Sequence, residues 1–213
     1  MTYSQETEGT NLETNSTELS ELNQSVEETI ERVGSTEISK FEICELVTNK
    51  EVGEYLKTLP PTHLENIRNI QYEPEPKSEV SEAKPKFSTE IKATIKLKLP
   101  VMEGWVAAKI SPEEAKENFW ENLTYEVGLK VYCDIGLVKL ELQNKWSEIH
   151  HKSVEEYIKN GLGLLSQKGQ DIVVDFAETY AAYILDPEKL LSYSLDKYEF
   201  MKQEIFYGRE YNS

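Results

Sequence analysis

The stretch NLTYEVGLKVY, residues 122–132, places Glu126 directly after Tyr125 and three residues before Leu129. Histidine at both flanking positions would make H-E-x-x-H. With that spacing a helix aims two imidazoles, one turn apart, at a single zinc ion, and the glutamate polarises the metal-bound water. Neither position is histidine. A leucine has no lone pair to offer, and a lone phenol, with an ordinary pKa of about 10, cannot replace a ligand set. Other reactive side chains are sparse. His150 and His151 are adjacent, so on a helix they point about 100° apart and cannot both chelate one ion; a surface or capping role is expected for at least one. His63 follows Pro60-Pro61 and reads as a helix-start or loop residue. Cys133 lies one turn beyond Leu129, so a shifted metal site would have to draw on Cys133, Glu178 and one of the histidines. The sequence contains no Ser-His-Asp arrangement, phosphate-binding glycine loop or CxxC pair.

The elements that must position these residues change character along the chain. Ile91, Ala93, Ile95, Leu97 and Leu99 alternate with Lys92, Thr94, Lys96 and Lys98, which predicts a half-buried strand, and the lysine row suits a strand near a sheet edge. Ile67, Ile70 and Tyr72, closed by Pro74 and Pro76, predict another. Residues 75–86 read as a Pro, Lys and Glu loop. Between Ile38 and Leu59 the apolar residues recur at helical spacing, split around Asn49, and predict two short helices ending at Pro60. Ser111-Pro112-Glu113-Glu114 supplies a cap, a first-turn proline and a capping-box glutamate. The helix that follows should bury Ala115, Phe119, Leu123, Val127 and Val131, leaving Tyr125, Glu126 and Leu129 on a second face. Further helices are predicted through Val138, Leu142 and Trp146 and from Ser153, with a flexible connection at Gly161, Gly163 and Gly169. DIVVDFAETYAAYIL then reads as a helix with Val173, Phe176, Ala177, Tyr180 and Ile184 on one face, and Ser194 opens a last helix with Tyr198, Met201 and Ile205 inward. The fold class is α+β: a small sheet on the N-terminal side packed on a mainly helical C-terminal half.

Composition narrows the function classes. Residues 1–36 hold eight Glu, one Arg and no Lys among Ser, Thr and Asn, so they read as a disordered acidic tail ahead of a single domain, 37–213. The net charge of −16 argues against nucleic acid and anionic lipid, both of which demand clustered Lys and Arg, and leaves a protein or peptide partner, basic by complementarity. No run approaches the roughly 18 apolar residues of a membrane helix, and the N-terminus has no signal-peptide pattern, so the expected location is cytoplasmic. Cys44 and Cys133 then read as free thiols filling apolar space, and the glycosylation triplets at Asn15, Asn23 and Asn122 as accidental. The tryptophans and tyrosines read as core residues.

Taken in order, a sheet with an alternating strand, a helix with Glu126 and a later DFAETY block resemble the gluzincin peptidases of the anthrax-lethal-factor and Pro-Pro-endopeptidase type. Their blocks read roughly L-x-H-E-x-G-H-x-x-Y and E-x-F-A-E-x-[FY]. Beyond Glu126, the likeness rests on Gly128 and Tyr132 in the first block and on Phe176, Ala177, Glu178 and Tyr180 in the second, over about residues 50–208. It implies that Tyr125 and Leu129 stand at the two histidine positions and Val174 at the third ligand. Glu126 remains as a relic of the general base, zinc binding is lost and no catalytic residue is expected. A residual pocket would draw on Glu126, Cys133, His150, Glu178 and Tyr180. The leading expectation is a pseudoenzyme: a metallopeptidase-like domain that binds or scaffolds another protein, with an extended segment laid along residues 90–99 as related enzymes hold substrate. The alternatives are a structural or assembly protein of a virus or mobile element, and an atypical metallopeptidase using the shifted site.

Overall fold

The computed structural model describes residues 29–74, 94–100 and 102–211, which form a four-stranded sheet and seven α-helices. The expected α+β class and its division into sheet and helical half hold. The stretch 1–28, the 75–86 loop and the first residues of the predicted edge strand lie outside the described residues.

Strands β1 (Glu31–Val33), β2 (Thr36–Ser39), β3 (Asn69–Pro74) and β4 (Thr94–Leu99) lie side by side in chain order. β1 and β2 form an antiparallel hairpin, whereas β2–β3 and β3–β4 are parallel and need crossovers. The hairpin moves the tail boundary: Glu31–Val33 and Thr36, read as tail, belong to the sheet. Thr36 is fully buried and its hydroxyl donates to the Ile67 carbonyl at 2.8 Å, while the Asn49 side chain donates to the Thr29 carbonyl. A hairpin of seven-odd residues is too short to outweigh an acidic composition when read from sequence. β4 is the end strand of the described sheet; it buries Ile95, Leu97 and Leu99 and exposes Lys96 and Lys98, as its alternation predicts.

Of the two helices predicted between Ile38 and Leu59, one exists. Ile38 lies in β2, Phe41–Cys44 make one 3₁₀ turn, and α1 (Asn49–Leu56) starts at a reciprocal capping box between Thr48 and Glu51. After a short α2 (Met102–Ala107) comes α3 (Pro112–Val138), where the Ser111 hydroxyl accepts from the Glu114 N–H and all five residues of the predicted stripe are buried. α4 (Leu140–Asn160) is one helix, not two: Ser153 lies inside it and donates to the Ile149 carbonyl instead of capping. It stops at Gly161, whose φ of +77° is a left-handed cap. The glycine connection that follows is closely packed, since a Cβ on Gly163 would fall 2.6 Å from the Ser153 carbonyl oxygen.

α5 (Ile172–Leu185) buries eight of its 14 residues, and α6 (Pro187–Tyr193) and α7 (Leu195–Phe200) close the fold, the last running into a π-helical turn, Met201–Ile205. Asp171, Asp186 and Ser194 cap the three helices in turn. On α5 the inward face differs slightly from the predicted one, with Tyr183 buried and Val173 and Ile184 only half-buried. The core is strongly aromatic, linking Phe41, Phe119, Trp146, Phe176, Tyr180, Tyr183 and Phe206. Among the described residues no helix is long and apolar enough to cross a membrane.

Candidate functional site

Among the described residues, the most extensive helix–helix contact is α3 against α5. Gly128 makes it close: a Cβ there would sit 3.0–3.1 Å from side-chain atoms of Tyr180, so only a hydrogen leaves room for the ring. Beside this contact Tyr132 lies on Phe176 with ring centroids 5.2 Å apart, and Ala177 is fully buried. Of the residues that carry the likeness between the two blocks, Gly128, Tyr132, Phe176, Ala177 and Tyr180 are thus packing residues on this helix pair, whereas Glu178 bonds to the Ser166 hydroxyl.

The chemistry-bearing positions on the same helices are filled differently. Leu129 is half-buried and Val174 is 6% exposed, two alkyl groups without a lone pair. Tyr125 is half-buried, and its phenol is pushed up to about 12, first by burial and then by the nearby charges of Glu126, Glu178 and Asp171. A neutral phenol at one position and alkyl groups at the other two do not fit a zinc ion, which takes three protein ligands in an open catalytic site. Comparison with protein-family models, curated proteins and solved structures finds no match for this chain.

Four residues of the expected pocket, Cys133, Tyr180, His150 and Glu178, each take different neighbours. Cys133 is exposed, which corrects the expectation that it fills apolar space; Cys44 does so, fully buried. The Tyr180 hydroxyl is hydrogen-bonded to His63 Nδ1 at 2.9 Å. His150 is buried with Nδ1 3.0 Å from Asp175 Oδ2, and His151 is exposed beside Glu155. Glu178 accepts from the Ser166 hydroxyl through Oε1 at 2.5 Å. Among the described residues no three His, Cys, Asp or Glu side chains converge as a metal site, so the shifted set of Cys133, Glu178 and a histidine is not assembled.

His63 ends the short 3₁₀ helix Pro61–His63, in keeping with its place after Pro60, and is buried, with Nε2 3.1 Å from the Ile205 carbonyl oxygen. A carbonyl only accepts, so Nε2 carries the proton and Nδ1 accepts from Tyr180, which defines a neutral tautomer. Burial pushes its pKa down to about 4.

Sequence reasoning passed over the most concentrated charge in the interior. Asp175 is fully buried, Lys197 is 1% exposed, and Lys197 Nζ donates to Asp175 Oδ1 while His150 takes Oδ2. The ammonium also lies 5.8 Å from the Trp146 ring centroid. Burial pushes the Lys197 pKa down, against the pull of Asp175. The signal was legible: Asp175 adjoins Phe176 in the apolar run of α5, and Lys197 precedes Met201 and Ile205 at four-residue spacing, so opposite charges stand on two core stripes.

Proposed function

We propose that the chain is a non-catalytic, metallopeptidase-like domain of the cytoplasm that binds or scaffolds another protein, taking an extended segment of it along β4. The observation that carries this reading is the α3–α5 contact. The residues shared with both peptidase blocks meet there, Gly128 against Tyr180, while the three ligand positions of such a helix pair hold a phenol, an isobutyl and an isopropyl group. Without ligands there is no activated water, and the surface that remains can bind but has no means to hydrolyse. β4 suits strand addition, being the end strand of the described sheet with a buried apolar face and outward lysines. The net charge of −16 favours a partner with basic character, and two unpaired cysteines suit a reducing compartment.

The test restores what the reading says is missing. Tyr125→His, Leu129→His and Val174→Glu, made together, should create a three-ligand zinc site with Glu126 beside the open fourth position. Without metal the variant should lose stability, at about 1–3 kcal/mol for each polar group left unsatisfied. Zinc should return part of that loss by binding the folded state, read as a zinc-dependent rise in Tm. Wild-type protein should retain no stoichiometric zinc after dialysis against it. A folded triple variant that gains no zinc affinity means the three positions do not converge; wild type that binds one equivalent and cleaves peptides means the domain is an enzyme.

A further inference from the structure

The connection between α4 and α5 is seated on carboxyl groups of α5. Ser166 Oγ donates to Glu178 Oε1 and accepts from the Lys168 N–H at 3.1 Å, so one hydroxyl both caps the 3₁₀ turn Gln167–Gln170 and ties that turn to the helix. Gly169, buried in the turn, completes the seat: a Cβ there would lie 3.2 Å from Glu178 Oε2 and 3.3 Å from Asp175 Oδ1. Backbone approaches two carboxyl groups this closely only where no side chain intervenes.

The closure leaves one defect. Glu178 Oε2 is buried and has no hydrogen-bond partner, whereas one turn away both oxygens of Asp175 are taken, by Lys197 and His150. The charges acting on Glu178 come from each element around it: Asp175 on its own helix, Lys197 on α7 and Lys168 on the connection. The Tyr125 phenol faces it from α3, and His150 on α4 faces Asp175. Lys197 is committed to Asp175, and Lys168 is exposed. An ionised carboxylate with a bare buried oxygen has two ways to relax: it takes up a proton, or it opens its cover to water.

We propose that residues 161–171 form a proton-operated clasp on the α3–α5 face, shut onto α5 while Glu178 carries a proton and loosened when its carboxylate ionises. Burial holds the Glu178 carboxyl above the usual carboxylate range, outweighing the Ser166 hydrogen bond and the two lysines. A raised value in the closed state means that closure is favoured below the ordinary glutamate range and that this support is lost as pH rises through the raised value. The clasp is therefore tight below the ordinary glutamate range and looser once pH exceeds the raised value. It borders Tyr125, which feels both Glu178 and Asp171, so its state changes access to that face.

Amide hydrogen exchange across residues 162–170 of the full chain, corrected for intrinsic rates at each pH, reads the clasp directly. Protection should fall about tenfold per unit of pKa difference between shut and open forms, the fall levelling off once pH has passed the Glu178 carboxyl titration followed by carbon NMR. Glu178→Gln, neutral at every pH, should keep protection high and flat, and Ser166→Ala should lower it throughout. Residues 176–183 of α5 serve as the folded control. Flat protection in wild type, a fall that continues well above the Glu178 titration, or an unchanged pH dependence in Glu178→Gln each overturns the proposal.

Discussion

α5 separates two regions built on opposite principles. Toward α3 it meets Gly128 and Tyr132, and the positions where ligands would do chemistry, Tyr125, Leu129 and Val174, are apolar or neutral. Toward α4 and α7 it buries Asp175 between Lys197 and His150. The contrast teaches that buried charge in this molecule serves packing: every member of the ionic cluster is matched by another side chain, and none faces an open site. A buried pair is no more stable than a well-fitted apolar one, but it penalises any arrangement that separates its members.

Breaking the ionic side should cost most. Asp175→Ala leaves a buried ammonium without its counterion and should lower unfolding free energy by about 3–5 kcal/mol, measured by urea denaturation. The paired change Asp175→Leu with Lys197→Met should recover most of that loss; equal damage from single and paired variants would mean the cluster contributes more than mutual compensation. His63 offers a pH test between the two regions, because it is buried neutral against Tyr180. Its folded value of about 4 lies below the ordinary 6.5, so the unfolded chain binds the extra proton as pH falls between these values and stability is lost in that window. At about 1.36 kcal/mol per unit the loss approaches about 3 kcal/mol, read as the difference in pH slope between wild type and His63→Gln. That difference matters because Glu178 acts with the opposite sign.

The apolar side should be less costly to disturb yet unforgiving of volume. Gly128→Ala pushes a methyl against a fully buried Tyr180 ring whose hydroxyl is tied to His63, so the ring cannot retreat easily. Overpacking of this kind costs about 1–3 kcal/mol, more than the helix propensity alanine gains, and thermal unfolding should show a lowered Tm. A raised Tm would mean that α3 and α5 can slide apart, which would weaken the likeness to the peptidase helix pair. The smallest effect belongs to residues 1–28. Their removal should change stability by less than about 0.5 kcal/mol, provided the cut spares Thr29, whose carbonyl accepts from Asn49.

How far the sequence could be read depended on the length over which each signal repeats. The stripe of α3 and the alternation of β4 persist for several periods, and both sit as their spacing requires, β4 over its described residues. The hairpin at residues 31–39 has too few alternating residues to stand out from its acidic surroundings, and Ser153 was misread because a serine signals a cap only where a helix actually begins.

The sequence by itself determined the α+β division, the helix starts at Ser111 and Ser194, and the absence of lone pairs at Leu129 and Val174, because each follows from residue type and local spacing. Only the tertiary structure decided that Gly128 meets Tyr180, that His63 is buried under the C-terminal turn, that Lys197 finds Asp175, and that Glu178 is covered by Gly169. These are contacts between residues far apart in the chain. Their partners are selected by how whole helices pack, and a local pattern carries no record of which distant side chain will arrive.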